Sequence, residues 1–379
     1  MRIARVSARV LRAPEYPNGG WVLVRVRTDS GIEGVGECFV PDAQGRAVFA
    51  ARQVVEGSLA RVVMGEDVRH TEVLWERMYA VCAGMYDRRG LAIHALSGVD
   101  MAVHDAAARA LGVPLCVLLG GPHRDRVRVY VSSVWVDPTQ PEAALDATQR
   151  YVAEGFTAIK YYGWAGFGAD ARRDAALLQR LRQRAGEGVD LMLDLGRPAG
   201  LDEAVRTARM IEDSGARIYW WEEPFSSTDQ ATLLARLRSR TDLTIAAGEQ
   251  EMTAFAFREL LLQEAVGVLQ PDLSWAGGLT EGRRIAALSR LFGVPLVPHN
   301  WGTVVNFAAS IHLVAAMPQG FLCEYPITPR LPHATEPSPM MTELARTPVR
   351  IESGQALVPE GPGLGIELDE DAVARWALD

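Results

Sequence analysis

From about residue 127 the chain falls into short apolar runs separated by amphipathic stretches, and this rhythm constrains the fold more than any other feature. The runs cover residues 127–131, 158–160, 191–194, 218–222, 244–249, 266–272, 294–299 and 321–324, with seven helical patterns between them. A spacing of roughly 25 to 30 residues is one strand plus one helix, and right-handed crossovers close eight such units into a barrel. The rival is a doubly wound open sheet. No Gly-rich dinucleotide loop follows the first run, which argues against it.

The part before the barrel reads as a small α+β unit. Residues 2–11, 21–28 and 32–38 are strand-like, the last two joined by the turn Asp29-Ser30-Gly31. A helix is expected over residues 92–110, with Ala, Leu, Val and Met on one stripe and a stop at Gly112-Val113-Pro114. The tail after Tyr325 is Pro-rich, then gives a strand-like run at 349–352, a Gly-rich turn at 361–365 and a short final helix, expected to pack back on the amino-terminal unit.

Composition narrows the function. A net charge of −8 and a pI near 5.5, with no basic run or interleaved aromatics, argue against nucleic acid or an anionic membrane as partner. The amino terminus continues as an alternating strand rather than into an apolar signal core, and no stretch is long enough to span a bilayer, so a cytoplasmic protein is expected. Cys38, Cys82, Cys116 and Cys323 have no paired spacing and read as reduced, packed thiols.

From the second run onward nearly every strand ends in an ionisable residue: Lys160, Asp194, Glu222, Glu249, Asp272, His299 and Glu324. A single acid at a strand end is often a helix cap. In a parallel barrel, however, all seven converge on the carboxyl-terminal mouth, where barrel enzymes keep their chemistry. Asp194, Glu222 and Glu249 form an all-oxygen set on successive strands, suited to Mg²⁺ rather than zinc or copper. Lys160 is the only lysine among 39 basic residues. Its compact, movable charge is not interchangeable with the arginine fork that the rest of the chain uses, and it is positioned to offset a substrate carboxylate. Asp272 and His299 end adjacent strands, the pairing expected of an oriented general base. Glu324, if protonated, is a donor toward an oxygen that gains charge.

These residues resemble the enolase superfamily, and within it the mandelate racemase subgroup. The resemblance rests on Gly34-Val-Gly-Glu-Cys38, Ser97-Gly-Val-Asp100, Glu222-Glu-Pro224, Gly248-Glu249, Gln270-Pro-Asp272 with Gly277-Gly278, Pro298-His299 and the terminal stretch 361–367. It implies an α/β chain with a modified (β/α)7β TIM-type barrel at 126–325, an α+β capping domain at 1–125, and a segment at 326–379 that completes the cap. It also implies Mg²⁺-assisted removal of the proton α to a carboxylate. Asp194, Glu222 and Glu249 are then the metal ligands, Asp272 and His299 the dyad, and Glu324 the donor to the substrate carboxylate. Lys160 matches the first lysine of a Lys-x-Lys motif. Tyr162 stands in place of the second lysine and Gly196 where an Asn commonly follows the first ligand.

A tyrosine, with a pKa of about 10, is a poor base, so two-base racemisation is disfavoured. With His299 as the competent base, dehydration of an acid sugar to a 2-keto-3-deoxy acid is the expected reaction. The run Pro298-His-Asn-Trp-Gly302 also resembles sugar-acid lactone cycloisomerases, the second reading; a racemase or epimerase is third. From other classes, a non-catalytic metabolite-binding barrel does not need the complete metal set, and a metal-dependent hydrolase usually gathers several histidines. The partner is a small-molecule carboxylate, and the resemblance implies a homo-oligomer. Substrate choice is expected from loops near 16–21 and 85–89, with Trp164, Trp221, Trp275 and Trp301 as candidate pocket walls.

Overall fold

The computed structural model describes residues 1–13, 19–41, 46–163, 166–196, 198, 200–225, 230–327 and 337–378. Near the amino terminus, β1 (Ile3–Leu11), β2 (Gly19–Thr28) and β3 (Glu33–Pro41) form an antiparallel sheet. The expected turn closes β2 onto β3, with Thr28 N–H donating to Ile32 O at 2.8 Å and Gly31 at φ 84°. Helices α1 (Ala47–Gln53), a π-helical stretch (Val54–Leu59), α2 (Ala60–Val63), α3 (Thr71–Gly84), α4 (Leu91–Leu111) and α5 (Leu115–Leu118) follow. The predicted stripe of α4 is almost wholly buried, and the helix ends at a left-handed Gly112.

The close seat of α4 on β3 explains Gly34 and Gly36. A Cβ at Gly36 would collide with Gly98 O and Ala102 N, and one at Gly34 with Ala102 O and Ala106 N. Removing those two side chains lets a helix backbone lie directly on a strand.

The barrel runs β4 (Arg126–Trp135), α6 (Glu142–Ala153), β5 (Ala158–Gly163), α7 (Ala171–Ala185), β6 (Asp190–Leu195), α8 (Leu201–Asp213), β7 (Ile218–Glu222), α9 (Ala231–Arg238), β8 (Ile245–Ala247), α10 (Thr253–Leu262), β9 (Val268–Leu269), α11 (Gly278–Phe292), α12 (Val304–Ala316) and β10 (Leu322–Pro326). The strands from β4 to β9 pair in parallel, and β10 pairs in parallel with β4 to close the ring. This is the expected capped barrel.

The run 294–299 departs from expectation. It occupies the seventh strand position but makes only the isolated bridges Leu269↔Leu296 and Asp272↔His299. Its prolines explain this: Pro295 and Pro298 have no N–H, so the run's bonds to the preceding strand position come from Val297 and His299, to Leu269 O and Pro271 O.

The carboxyl-terminal segment fastens both parts. After α13 (Pro339–Thr342), β11 (Ile351–Glu352) pairs with β12 (Gln355–Leu357), which adds to the outer end of β4. Leu115 N–H donates to Gly363 O, and beyond α14 (Glu370–Trp376) Leu378 N–H donates to Val10 O. Among the described residues no helix is long and apolar enough to cross a membrane. All four cysteines are buried and unbridged.

The helix-on-strand seat is testable by overpacking. Gly36→Val should lower stability by about 3 kcal/mol or more, read as a drop in thermal midpoint. Gly57→Ala, where a Cβ meets nothing, should leave the midpoint nearly unchanged.

Candidate active site

The barrel interior is built in layers. One cluster takes a single side chain from each of the eight strand positions: Tyr130, Ala158, Met192, Trp220, Ala246, Val268, Val297 and Leu322. Strand side chains alternate between faces. The residue two further along each strand therefore points inward again, one level nearer the mouth. Those residues are Ser132, Lys160, Asp194, Glu222, Gly248, Gln270, His299 and Glu324. An apolar plug thus becomes a polar floor within one strand step.

At that floor Lys160 is 2% exposed. Its ammonium donates to Glu222, lies 2.8 Å from Glu324 Oε1 and sits over the Tyr130 ring at 5.6 Å from its centroid. Burial favours the neutral amine, yet Glu222, Glu324 and Asp194 outweigh it and raise the pKa, so the lysine is charged. Glu222 Oε2 also accepts from Trp220 Nε1 at 2.9 Å and Gln270 Nε2 at 2.7 Å. Glu324 accepts Asn300 N–H at 2.8 Å. Burial disfavours its charge, but Lys160 and His299 prevail and hold its pKa down. In this arrangement Glu324 accepts from Asn300 and faces Lys160; the donor role implied by the resemblance concerns a substrate carboxylate and remains an expectation.

His299 Nδ1 stands 2.8 Å from Asp272 Oδ2, while Nε2 faces Glu249 Oε2 at 3.3 Å. Burial lowers the imidazole's pKa, but Glu249, Glu324 and Asp272 together push it up to about 10. Asp272 is itself held rigidly. Its Oδ1 accepts from Ser274 N and Oγ, at 2.7 and 2.6 Å, and from Asn306 Nδ2 at 3.1 Å.

Five carboxylates, Asp194, Glu222, Glu249, Asp272 and Glu324, thus share the mouth with two basic side chains, Lys160 and His299. In formal charge the acids exceed the bases by three, in a mouth where all but Glu249 are buried. Among the described residues no group of three or more His, Cys, Asp or Glu is gathered so as to cage a metal; Glu222 and Glu249 are turned onto Lys160 and His299. The donor set nevertheless fits Mg²⁺ in kind, being oxygen-only, on three successive strands, and carrying negative charge that a divalent cation relieves.

Tyr162 lies beside Asp194 across the β5–β6 ladder, with its ring tilted against Trp135 and Trp301. Gly196 has φ 73°, in the region that favours glycine over an asparagine side chain. Trp275 and Trp301 flank His299, at centroid distances of 5.6 and 6.4 Å. Trp221 does not face the mouth; it packs outward under the helices and donates to Leu195 O. Trp164 and, of the 16–21 loop, residues 16–18 lie outside the described residues, while 19–21 begin β2. In the 85–89 loop Tyr86 is almost fully exposed.

Sequence reasoning missed the supports that come from the capping part. Glu37 is fully buried and accepts both the N–H and the hydroxyl of Thr303. Burial pushes its carboxyl up to about 7, against those two bonds. Thr303 Oγ1 also accepts Val305 N–H and so caps α12, tying the His299 loop to β3. Asp100 of α4 does the same for α11, accepting Thr280 N–H at 3.0 Å and its hydroxyl at 2.7 Å. Gly278 is required there, because a Cβ would strike Asp100. The signal was present in Gly34-x-Gly-Glu37 and Gly277-Gly278, whose glycines allow the close approach that delivers each acid.

Comparison with known proteins agrees with this layout. Residues 142–372 match the family described as enolase C-terminal domain-like, and residues 17–120 match the mandelate racemase/muconate lactonizing enzyme N-terminal domain. A D-galactarolactone cycloisomerase of Agrobacterium fabrum is 34% identical over 361 residues, 94% of this chain and 91% of that protein. A D-galactonate dehydratase of Xanthomonas oryzae pv. oryzae is 33% identical over 361 residues, 94% of this chain and 90% of its own. The solved 3,6-anhydro-D-galactonate cycloisomerase from Zobellia galactanivorans superposes with a TM-score of 0.86 at 27% identity, covering 100% of both chains. With both domains matched and relatives similar over nearly the whole length, the chain belongs to the mandelate racemase/muconate lactonizing enzyme family of the enolase superfamily.

Proposed function

We propose that this enzyme removes the proton α to the carboxylate of an acid sugar and expels the β-hydroxyl, giving a 2-keto-3-deoxy acid. The observation that carries the reading is the buried dyad, His299 Nδ1 at 2.8 Å from Asp272, in a mouth whose other basic side chain is Lys160. Asp194, Glu222 and Glu249 are the residues to hold Mg²⁺. When bound, the ion supplies Lewis-acid stabilisation of negative charge on the substrate carboxylate.

The side chains perform the rest. Asp272 fixes the imidazole with its proton on Nδ1, leaving Nε2 to take the α-proton. Burial alone would keep His299 neutral; of the carboxylates that raise its pKa, Glu249 is the largest influence. His299 therefore becomes a competent base when Glu249 is engaged elsewhere. Lys160, released from Glu222 and Glu324, pairs with the substrate carboxylate and meets the charge that develops as the C–H bond breaks. The proton taken by Nε2 then leaves with the departing hydroxyl as water, and the enol product tautomerises to the keto acid. Tyr162 lies beside Asp194 and is the candidate for assistance from the other face.

A second reading, β-elimination that opens a sugar-acid lactone, draws on the cycloisomerases among the similar proteins. Supplying hexonates, hexarates and their lactones with Mg²⁺ and assaying keto-acid formation separates the two. The first reading expects a 2-keto-3-deoxy product from an open-chain acid, lost reversibly on chelation; turnover of lactones alone selects the second. Full activity in metal-free buffer contradicts both.

Lys160 gives a sharper test. Lys160→Met should reduce turnover by about a hundredfold to a thousandfold, because the charge of the transition state loses its partner. Lys160→Arg should recover little, since the wider fork does not fit a pocket shaped for an ammonium. Wild-type turnover in the Arg variant would make the lysine incidental; thermal midpoints distinguish lost chemistry from lost folding.

A further inference from the structure

His94 has no task in the mechanism above. It stands in the first turn of α4, 7% exposed, with Nδ1 2.7 Å from Phe39 O. A carbonyl only accepts, so Nδ1 carries the proton and the lone pair is on Nε2. Burial lowers the pKa of the ring against the pull of Phe39 O and Asp272, which keeps it neutral. Nε2 has no hydrogen-bonding partner among the described residues and is not one of the sealed polar atoms. It is a fixed acceptor in a wall that is otherwise aromatic.

Its place relative to the dyad gives that acceptor a use. His94 and His299 flank the same indole, with Trp275 5.7 Å from the first ring and 5.6 Å from the second. Phe39 stacks on Trp275 at 5.7 Å, and Trp21 lies 5.6 Å from Phe39, completing the wall. With the rings 5.7 and 5.6 Å from Trp275, the two imidazoles are at most about 11 Å apart. An extended zigzag chain advances about 1.25 Å per bond, so the four bonds beyond an α-carbon at His299 cover about 5 Å, and a hydrogen bond of about 3 Å at each end closes the rest.

Resting on the acid-sugar reading above, we infer that His94 Nε2 accepts a hydrogen bond from a hydroxyl at the end of the substrate remote from the carboxylate. The same lone pair faces a second carboxylate as acceptor against acceptor, so His94 selects aldonates over aldarates. No proton is transferred; His94 is a specificity residue supplied by the capping part.

The test uses hexonates, beginning with D-galactonate, their 5-deoxy and 6-deoxy analogues, and D-galactarate. His94→Phe should raise KM for the hexonate by about 10- to 100-fold while kcat stays within about threefold. One deoxy analogue should lose the same factor with wild-type enzyme and nothing further with His94→Phe. His94→Gln, whose amide both donates to Phe39 O and presents an acceptor, should recover most of the loss. An unchanged KM in a folded His94→Phe, or a wild type that prefers D-galactarate, overturns the inference. A wild type that turns over no acid sugar instead overturns the functional reading on which it rests.

Discussion

Lys160 is held between Glu222 and Glu324 at the bottom of the barrel mouth, and the rest of the site is organised around that buried charge. A lone ammonium at 2% exposure is costly to desolvate, and a lone carboxylate equally so. Each is tolerable because the strands present them together, one step above an apolar plug. The acids outnumber the basic groups, however, and this negative surplus supports the proposal that a divalent cation binds at the mouth.

The capping part is as necessary to the site as the barrel. Glu37 holds Thr303, which caps the helix after His299, while Asp100 holds the start of α11 after Asp272. Both loops that carry the dyad are therefore fixed from outside the barrel. Trp21 Nε1 adds a bond to Trp301 O at 3.0 Å. A dyad secured in this way keeps its orientation without relying on the short and broken strands β8, β9 and 294–299.

Much of this was legible in the sequence because barrel strands end where polarity begins. Lys160, Asp194, Glu222, His299 and Glu324 all sit on one inward-facing level, and each was visible as an ionisable residue ending an apolar run. What was not legible depended on geometry between segments distant in sequence. Glu37 and Thr303 are 266 residues apart, and nothing local marks them as partners. The pairing of Lys160 with both Glu222 and Glu324 likewise depends on strands that are distant in sequence, which a strand-end pattern does not reveal. The seventh strand was overestimated because its apolar run hid two prolines that cannot complete a ladder.

In the proposed reaction His299 takes the α-proton. Its most direct test is the fate of that hydrogen in D₂O, followed by proton NMR for wild type and His299→Asn under the same Mg²⁺ concentration. Wild type should exchange or lose the α-hydrogen, and His299→Asn should stop both while still binding Mg²⁺. Undiminished exchange in His299→Asn would contradict the assignment and move the base to Tyr162 or Lys160.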